Sequence, residues 1–176
     1  MSIEENKKLN FIFSRRSIRS FKNKEVDSES IELLLAAAMS APSCYSKDPW
    51  RFIVVRNKKT LAAIAECLPN GKMLPSAGAG IVVCGDMEAV HDRLLSFLIQ
   101  DCSAAVENIL LAAHALELGA CWLGVHPRQE RISQITKVLS LPESIVPVAC
   151  IAVGYPAEHK QARTRYNKSF IHFETW

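Results

Sequence analysis

Residues 146–156 read VPVACIAVGYP, a stretch without a single charge and rich in β-branched side chains. An apolar run with no polar alternation is a strand covered on both faces. IVVCGD (81–86) reads the same way, and WRFIVVR (50–56) and ACWLGV (120–125) are shorter strands by their β-branched and aromatic content. Helical segments separate them. Asp27 is placed to cap a helix over SESIELLLAAAMSA (28–41), with Glu29 in its first turn and Pro42 ending it. KKTLAAIAECL (58–68) is a second helix, and RQERISQITKVL (128–139) a third that starts after Pro127. Asp92 to Leu118 supports one or two long helices closed by Gly119. Leu9, Ile12 and Phe13 give residues 4–14 the spacing of a short amphipathic helix. Helices alternating with short buried strands predict an α+β fold with a helix-covered mixed central sheet, and 176 residues fit one domain, 1–176.

The bulk composition excludes several classes. With 22% charged and 49% hydrophobic residues the chain has a globular balance, and a net charge of +3 is too small for a nucleic-acid partner held by bulk charge. The start, MSIEENKKLNFIF, lacks an apolar core followed by a cleavage site, and no apolar run is expected to approach the ~18 residues of a membrane span. No membrane partner is therefore expected. Cys44, Cys67, Cys84, Cys102, Cys121 and Cys150 lie at wide intervals, form no C-x-x-C and have no His at zinc spacing. They read as reduced thiols of a cytoplasmic protein without a metal. G-x-S-x-G, S-x-x-K and H-E-x-x-H are all missing; GAGIVV (78–83) lacks the third glycine of a dinucleotide fingerprint, and PNGK (69–72) the first glycine of a P-loop. Cys44 has no obvious base beside it, and His114 reads as a core residue of an apolar helix. Basic residues and loops without acid–base machinery are what remains, as expected where an organic cofactor carries the chemistry.

FSRRSIRSF (13–21) sets Arg15, Arg16 and Arg19 within five positions and no acid among them: a solvated basic face or a local anion site. The tail from Ala157 to Trp176 is polar yet carries Tyr166, Phe170, Phe173 and Trp176, so it is expected to pack on something. Taken in order, RRSIRSF (15–21), SAPSCYSKDPWRFIVV (40–55), GKML (71–74) with AGIVVCGD (79–86), GACWLGV (119–125), and GYPAE (154–158) with RTRY (163–166) resemble the FMN-dependent nitroreductase family over nearly the whole chain. The resemblance implies the nitroreductase fold, FMN as cofactor, and a homodimer that exchanges the arm of about 157–176. It also implies a ping-pong cycle: NAD(P)H delivers hydride to flavin N5, and the flavin passes electrons to a nitroaromatic, quinone or similar acceptor. By the same resemblance Arg15 and Ser17 meet the flavin phosphate and ribityl end with Arg16 beside them, and Arg163 and Arg165 close over the phosphate. Arg19, Lys72 and Asn70 fall at the pyrimidine edge, Leu123 and Gly124 at the central ring and N5, and Pro42, Ser43, Cys44 and Ser46 come from the partner subunit. These roles are chemically sound, since guanidinium forks pair bidentately with phosphate and a fixed cation near N1 favours the reduced ring.

Two positions depart from the family's pattern, Ser46 standing for the usual Asn and Asp48 for the usual Gln. Ser46 loses an amide donor; Asp48 adds a charge or caps the turn before Pro49. Tyr45 either stacks on a nicotinamide or aromatic substrate or is a plain surface aromatic. Trp50 and Trp122 read as core, and no side chain is certain as a catalytic group. Rival readings are another flavin reaction of the superfamily, such as reductive dehalogenation, a flavin-binding redox sensor without turnover, and, more weakly, an RNA-binding module.

Overall fold

The computed structural model describes residues 7–176. Its centre is a four-stranded sheet of β1 (Trp50–Val55), β2 (Ala79–Asp86), β3 (Gly119–Gly124) and β4 (Ile145–Gly154) in the spatial order β1-β2-β4-β3. The two most apolar runs, β2 and β4, take the centre because both their faces are covered, while β1 and β3 keep open positions and take the edges. Neighbouring strands all pair antiparallel. The parallel component of the expected mixed sheet comes down to one bridge, Ser17 to Ala120.

Helices α2 (Ser28–Met39) and α4 (Leu95–Ala115) cover one face, and α3 (Lys58–Glu66) and α5 (Gln129–Leu139) the other. Ile81, Val83, Ile151 and Val153 turn to the first core; Val82, Cys84, Cys150 and Ala152 turn to the second. That is the period-two alternation of strands. α2 buries Ile31, Leu34 and Ala38 at helical spacing and starts at Asp27, which accepts from the Ser30 amide at 2.7 Å. This hydrogen bond holds the Asp27 carboxyl below its usual range. Between Val83 and Cys84 the register slips, facing Ala149 and Pro147 in turn and leaving Val148 as a bulge. Pro147 has no amide to donate, and a bulge is where a central strand tolerates it. The Val148 carbonyl then accepts from the Val125 and His126 amides, each at 3.1 Å, and so closes the end of β3.

Several expectations are corrected. α4 is one helix of 21 residues with a hydropathy of 1.3, long and apolar enough by composition to cross a membrane, contrary to the reading of the sequence. It lies instead along the sheet, burying Leu98, Cys102, Ala105, Val106, Ile109 and Ala113. Glu117, at φ 59°, takes the left-handed position after α4 that Gly119 was expected to fill, and Gly119 opens β3. The first helix, α1, is only Asn10–Ser14 after a 3-10 turn at Lys7–Leu9. It buries no residue in this chain, and Leu9, Phe11 and Ile12 stay exposed, so it is not the amphipathic helix expected; positions 4–6 fall outside the described residues.

Residues 17–21 are laid across the open ends of β3 and β4. The Ile18 amide donates to the Ala120 carbonyl at 3.0 Å, and Phe21 bridges Pro156. Ile18 and Phe21 are buried in the α3–α5 core. A Cβ on Gly119 would stand 2.7 Å from Ile18 Cγ2, so glycine is what lets this segment seat. Gly119→Ala is expected to cost about 1–3 kcal/mol by overpacking. At this chain length that is roughly 2–4 °C of Tm per kcal/mol, read by circular dichroism melts. A variant that melts with the parent would show that the segment is not pinned there.

Candidate functional site

Seating residues 17–21 puts the arginines over a cleft of about 410 Å³ lined by Arg15, Arg16, Ser17, Arg19, Lys160, Gln161, Arg163 and Arg165. Six of these eight are cations and none is an acid. The tail supplies half of them and is tied down by its backbone and by one carboxylate. Glu158 accepts from the Arg19 and Ser20 amides, Ala157 donates to the Ser20 carbonyl at 2.9 Å, and Lys160 Nζ donates to the Ser17 carbonyl at 2.9 Å. The Arg19 amide, with help from Lys160, holds the Glu158 carboxyl below its usual range.

Arg16 works as a clip. Its Nη2 donates to the Phe13 carbonyl at 2.8 Å and to the Arg163 carbonyl at 2.9 Å, joining the two halves of the cleft. Its Nε is buried without a partner among the described residues. Burial first, then Arg15, Arg163 and Arg165, lower its pKa from the usual guanidinium range. Arg15 leans on Glu107 of α4, Nε to Oε1 3.7 Å. Ser14 Oγ beside them lies 2.7 Å from His114 Nε2, so His114 ties α1 to α4. Burial, and then Arg15 and Arg16, keep that imidazole below its usual pKa. An orphaned buried donor amid crowded cations lacks an acceptor-only, multiply charged group, and a phosphate monoester fits that description.

Arg19 also lines a second cleft, of about 490 Å³, with Leu68, Pro69, Asn70, Lys72, Arg131 and the strand segment Cys121, Trp122, Leu123 and Gly124. The two clefts therefore meet at one residue. A Cβ on Gly124 would find nothing nearer than 4.0 Å, so the strand end offers bare, open backbone to a flat group. Trp122 is 38% exposed and lines this cleft, contrary to its expected place in the core, whereas Trp50 is buried as expected. Arg131 of α5 donates from Nη1 to the Gly124 carbonyl at 2.9 Å. Burial raises the Cys121 thiol, which makes it a packing residue rather than a nucleophile.

The structure thus brings together Arg15, Arg16, Ser17, Arg19, Arg163 and Arg165 around one cleft, and Arg19, Asn70, Lys72, Leu123 and Gly124 around the next. Pro42, Ser43, Cys44 and Ser46 line neither within this chain. Their loop is held against the start of α4 by the Cys44 amide donating to Asp101 Oδ1 at 3.0 Å. Asp48 closes the loop on the Ser43 hydroxyl, and Tyr45, Ser46 and Asp48 all sit at positive φ. Tyr45, 77% exposed, stacks on His91 with centroids 4.1 Å apart. Burial, and then Asp101 and Asp92, raise the Cys44 thiol, which disfavours a thiolate there. All six cysteines are free, and no metal-binding cluster occurs among the described residues. Sequence reasoning missed Trp122, Arg131, Lys160 and Gln161. Strand alternation alone could have found Trp122, which shares an open face with Gly124.

Comparison with known proteins agrees with this geometry. The Nitroreductase family matches residues 12–72 and 68–155. A protein of Archaeoglobus fulgidus, assigned as an NADH dehydrogenase/NAD(P)H nitroreductase, is 44% identical over 171 residues, 96% of this chain and 98% of its own. A solved structure from Parabacteroides distasonis with the same assignment superposes with a TM-score of 0.91 at 41% identity, covering 98% of this chain and 100% of the other. A Desulfovibrio desulfuricans protein, assigned as a nitroreductase and solved in complex with FMN, superposes with a TM-score of 0.84 at 35% identity over 98% of this chain and 99% of its own. With its fold, its paired clefts and its sequence in agreement, the chain belongs to the nitroreductase family.

Proposed function

We propose that the chain is an NAD(P)H-dependent oxidoreductase that holds FMN along the two joined clefts and reduces nitroaromatic, quinone or similar acceptors. The observation that carries this reading is the meeting at Arg19 of an acid-free cation cleft and an open strand-end cleft. In the first, Arg15, Arg163 and Arg165 would hold the phosphate, with Arg16 fixing the two halves at the right separation and Ser17 near the ribityl end. In the second, Gly124 and Leu123 lend backbone to the central ring, and Arg19 and Lys72 stabilise negative charge at its pyrimidine edge, with Asn70 beside them. When bound, FMN supplies the hydride and electron chemistry, and the chain supplies binding, orientation and charge.

The chain acts as a homodimer in this reading. Arg163 is the last tail residue anchored to residues 16–20, and beyond it Phe170, Phe173 and Trp176 are 79%, 82% and 99% exposed, a surface suited to a second copy. The 42–46 loop lines neither of the two clefts in its own chain and in this reading completes the partner's, with Tyr45 facing the substrate.

Donor and acceptor take turns at the one open cleft. Double-reciprocal plots at several acceptor concentrations are therefore expected to be parallel, and intersecting lines would mean two separate sites and overturn the alternation. Arg15→Ala is expected to weaken FMN binding by about 1.5–3 kcal/mol, the worth of a charged hydrogen bond, or roughly 10- to 150-fold in Kd. Arg19→Ala is expected to keep more FMN but lower its midpoint potential by on the order of 30 mV, the two-electron equivalent of ~1.4 kcal/mol. Flavin titration and redox titration of the two variants separate these roles, and an Arg19→Ala protein with the parent's potential refutes the assignment. Deleting residues after Pro156 should cost both FMN and the dimer, as read by sedimentation and visible absorbance. A flavin-loaded dimer of the truncated chain would refute the exchanged arm.

A further inference from the structure

The strand-end cleft holds one cation more than the ring reading uses. Arg19, Lys72 and Arg131 line it, and no carboxylate is among its lining residues. None of the three belongs to an ion pair among the described residues. Arg19 and Lys72 are assigned to the edge of the ring that gains negative charge. Arg131 stands on a different element, α5, with Nη1 fixed by the Gly124 carbonyl. It also forms the wall between this cleft and a further one of about 510 Å³, lined by Glu66, Pro69, Arg128, Glu130 and Gln134 among others. Arg131 thus stands directly beside Gly124, at the edge this cleft shares with the next.

We infer that Arg131 is a specificity-determining residue that reads an anionic group, phosphate or carboxylate, on the molecule exchanging electrons at this cleft. The inference rests on the FMN reading above and goes beyond it. A guanidinium already anchored by one hydrogen bond presents the rest of its fork at little further cost in side-chain order, and that fork matches the oxygens of either anion. The anion has two possible sources, the pyrophosphate of the dinucleotide donor or a carboxylate on the acceptor.

The test compares the parent with Arg131→Gln and Arg131→Lys, with Arg131→Met as a second neutral variant should Gln fail to fold. Two ratios of kcat/KM are measured. The first sets NADH against the uncharged donor N-benzyl dihydronicotinamide, and the second sets para-nitrobenzoate against para-nitrobenzamide. Each ratio cancels changes in flavin loading and potential, because both members meet the same flavin. A neutral variant is expected to lose about tenfold in one ratio, with Lys recovering part of it, as for loss of a charged hydrogen bond. A fall in the NADH ratio assigns the anion to the donor, and a fall in the nitrobenzoate ratio to the acceptor. Both ratios staying within about twofold of the parent overturn the inference, as does equal loss with Lys and Gln, which would make Arg131 a prop for Gly124. A parent that binds no flavin sinks the function and this inference together. A flavin-loaded parent whose ratios ignore Arg131 sinks this inference alone.

Discussion

Six cations around one cleft repel one another, and the surrounding structure is arranged to hold them there. Two like charges 4 Å apart cost about 1 kcal/mol in water and about 4 kcal/mol at the effective dielectric of a protein surface. The chain does not neutralise the group with acids lining the cleft. It fixes the cations mainly through carbonyls and backbone amides, Arg16 on Phe13 and Arg163, Lys160 on Ser17, and Glu158 on the amides of Arg19 and Ser20, with Glu107 and Glu158 pairing Arg15 and Lys160 from outside the lining. Glu158 is not among the cleft's lining residues, and it binds the two backbone amides while pairing with Lys160 at 3.2 Å. The anchors on Ser17, Arg19 and Ser20 depend on residues 17–21 lying across the ends of β3 and β4, and so on the missing side chain at Gly119.

The fold was legible wherever burial is written into local composition. β2 and β4 have no polar alternation because both faces are covered, and α2 shows its cap and its apolar stripe directly. Gly119 was misread because a glycine after an alanine-rich helix looks like a terminator, while its real constraint, Ile18, lies a hundred residues away. α1 was misread for the opposite reason: its apolar residues have the right spacing and no surface of their own chain to cover.

The site was legible in part. Arg15, Arg16 and Arg19 are adjacent in the chain, and the family pattern carried Arg163, Arg165, Asn70, Lys72, Leu123 and Gly124 into the same two clefts. Arg131 and Lys160 stand in no motif. Their place is set by how α5 packs on β4 and by how the tail folds back, which are properties of tertiary structure. For the 42–46 loop, one chain shows only its anchorage, Cys44 to Asp101 and Tyr45 on His91.

The tail has a thermodynamic consequence. Lys160, Gln161, Arg163 and Arg165 form half of the cation cleft, yet they are held by only a handful of hydrogen bonds to residues 16–20. Whatever fills the cleft must stabilise the docked tail by mass action, by about 2.7 kcal/mol when it is present at a hundred times its Kd. Occupancy and tail order are thereby one linked equilibrium. Filling the cleft therefore also favours a single placement for the strap that leads to the exposed aromatics Tyr166, Phe170, Phe173 and Trp176.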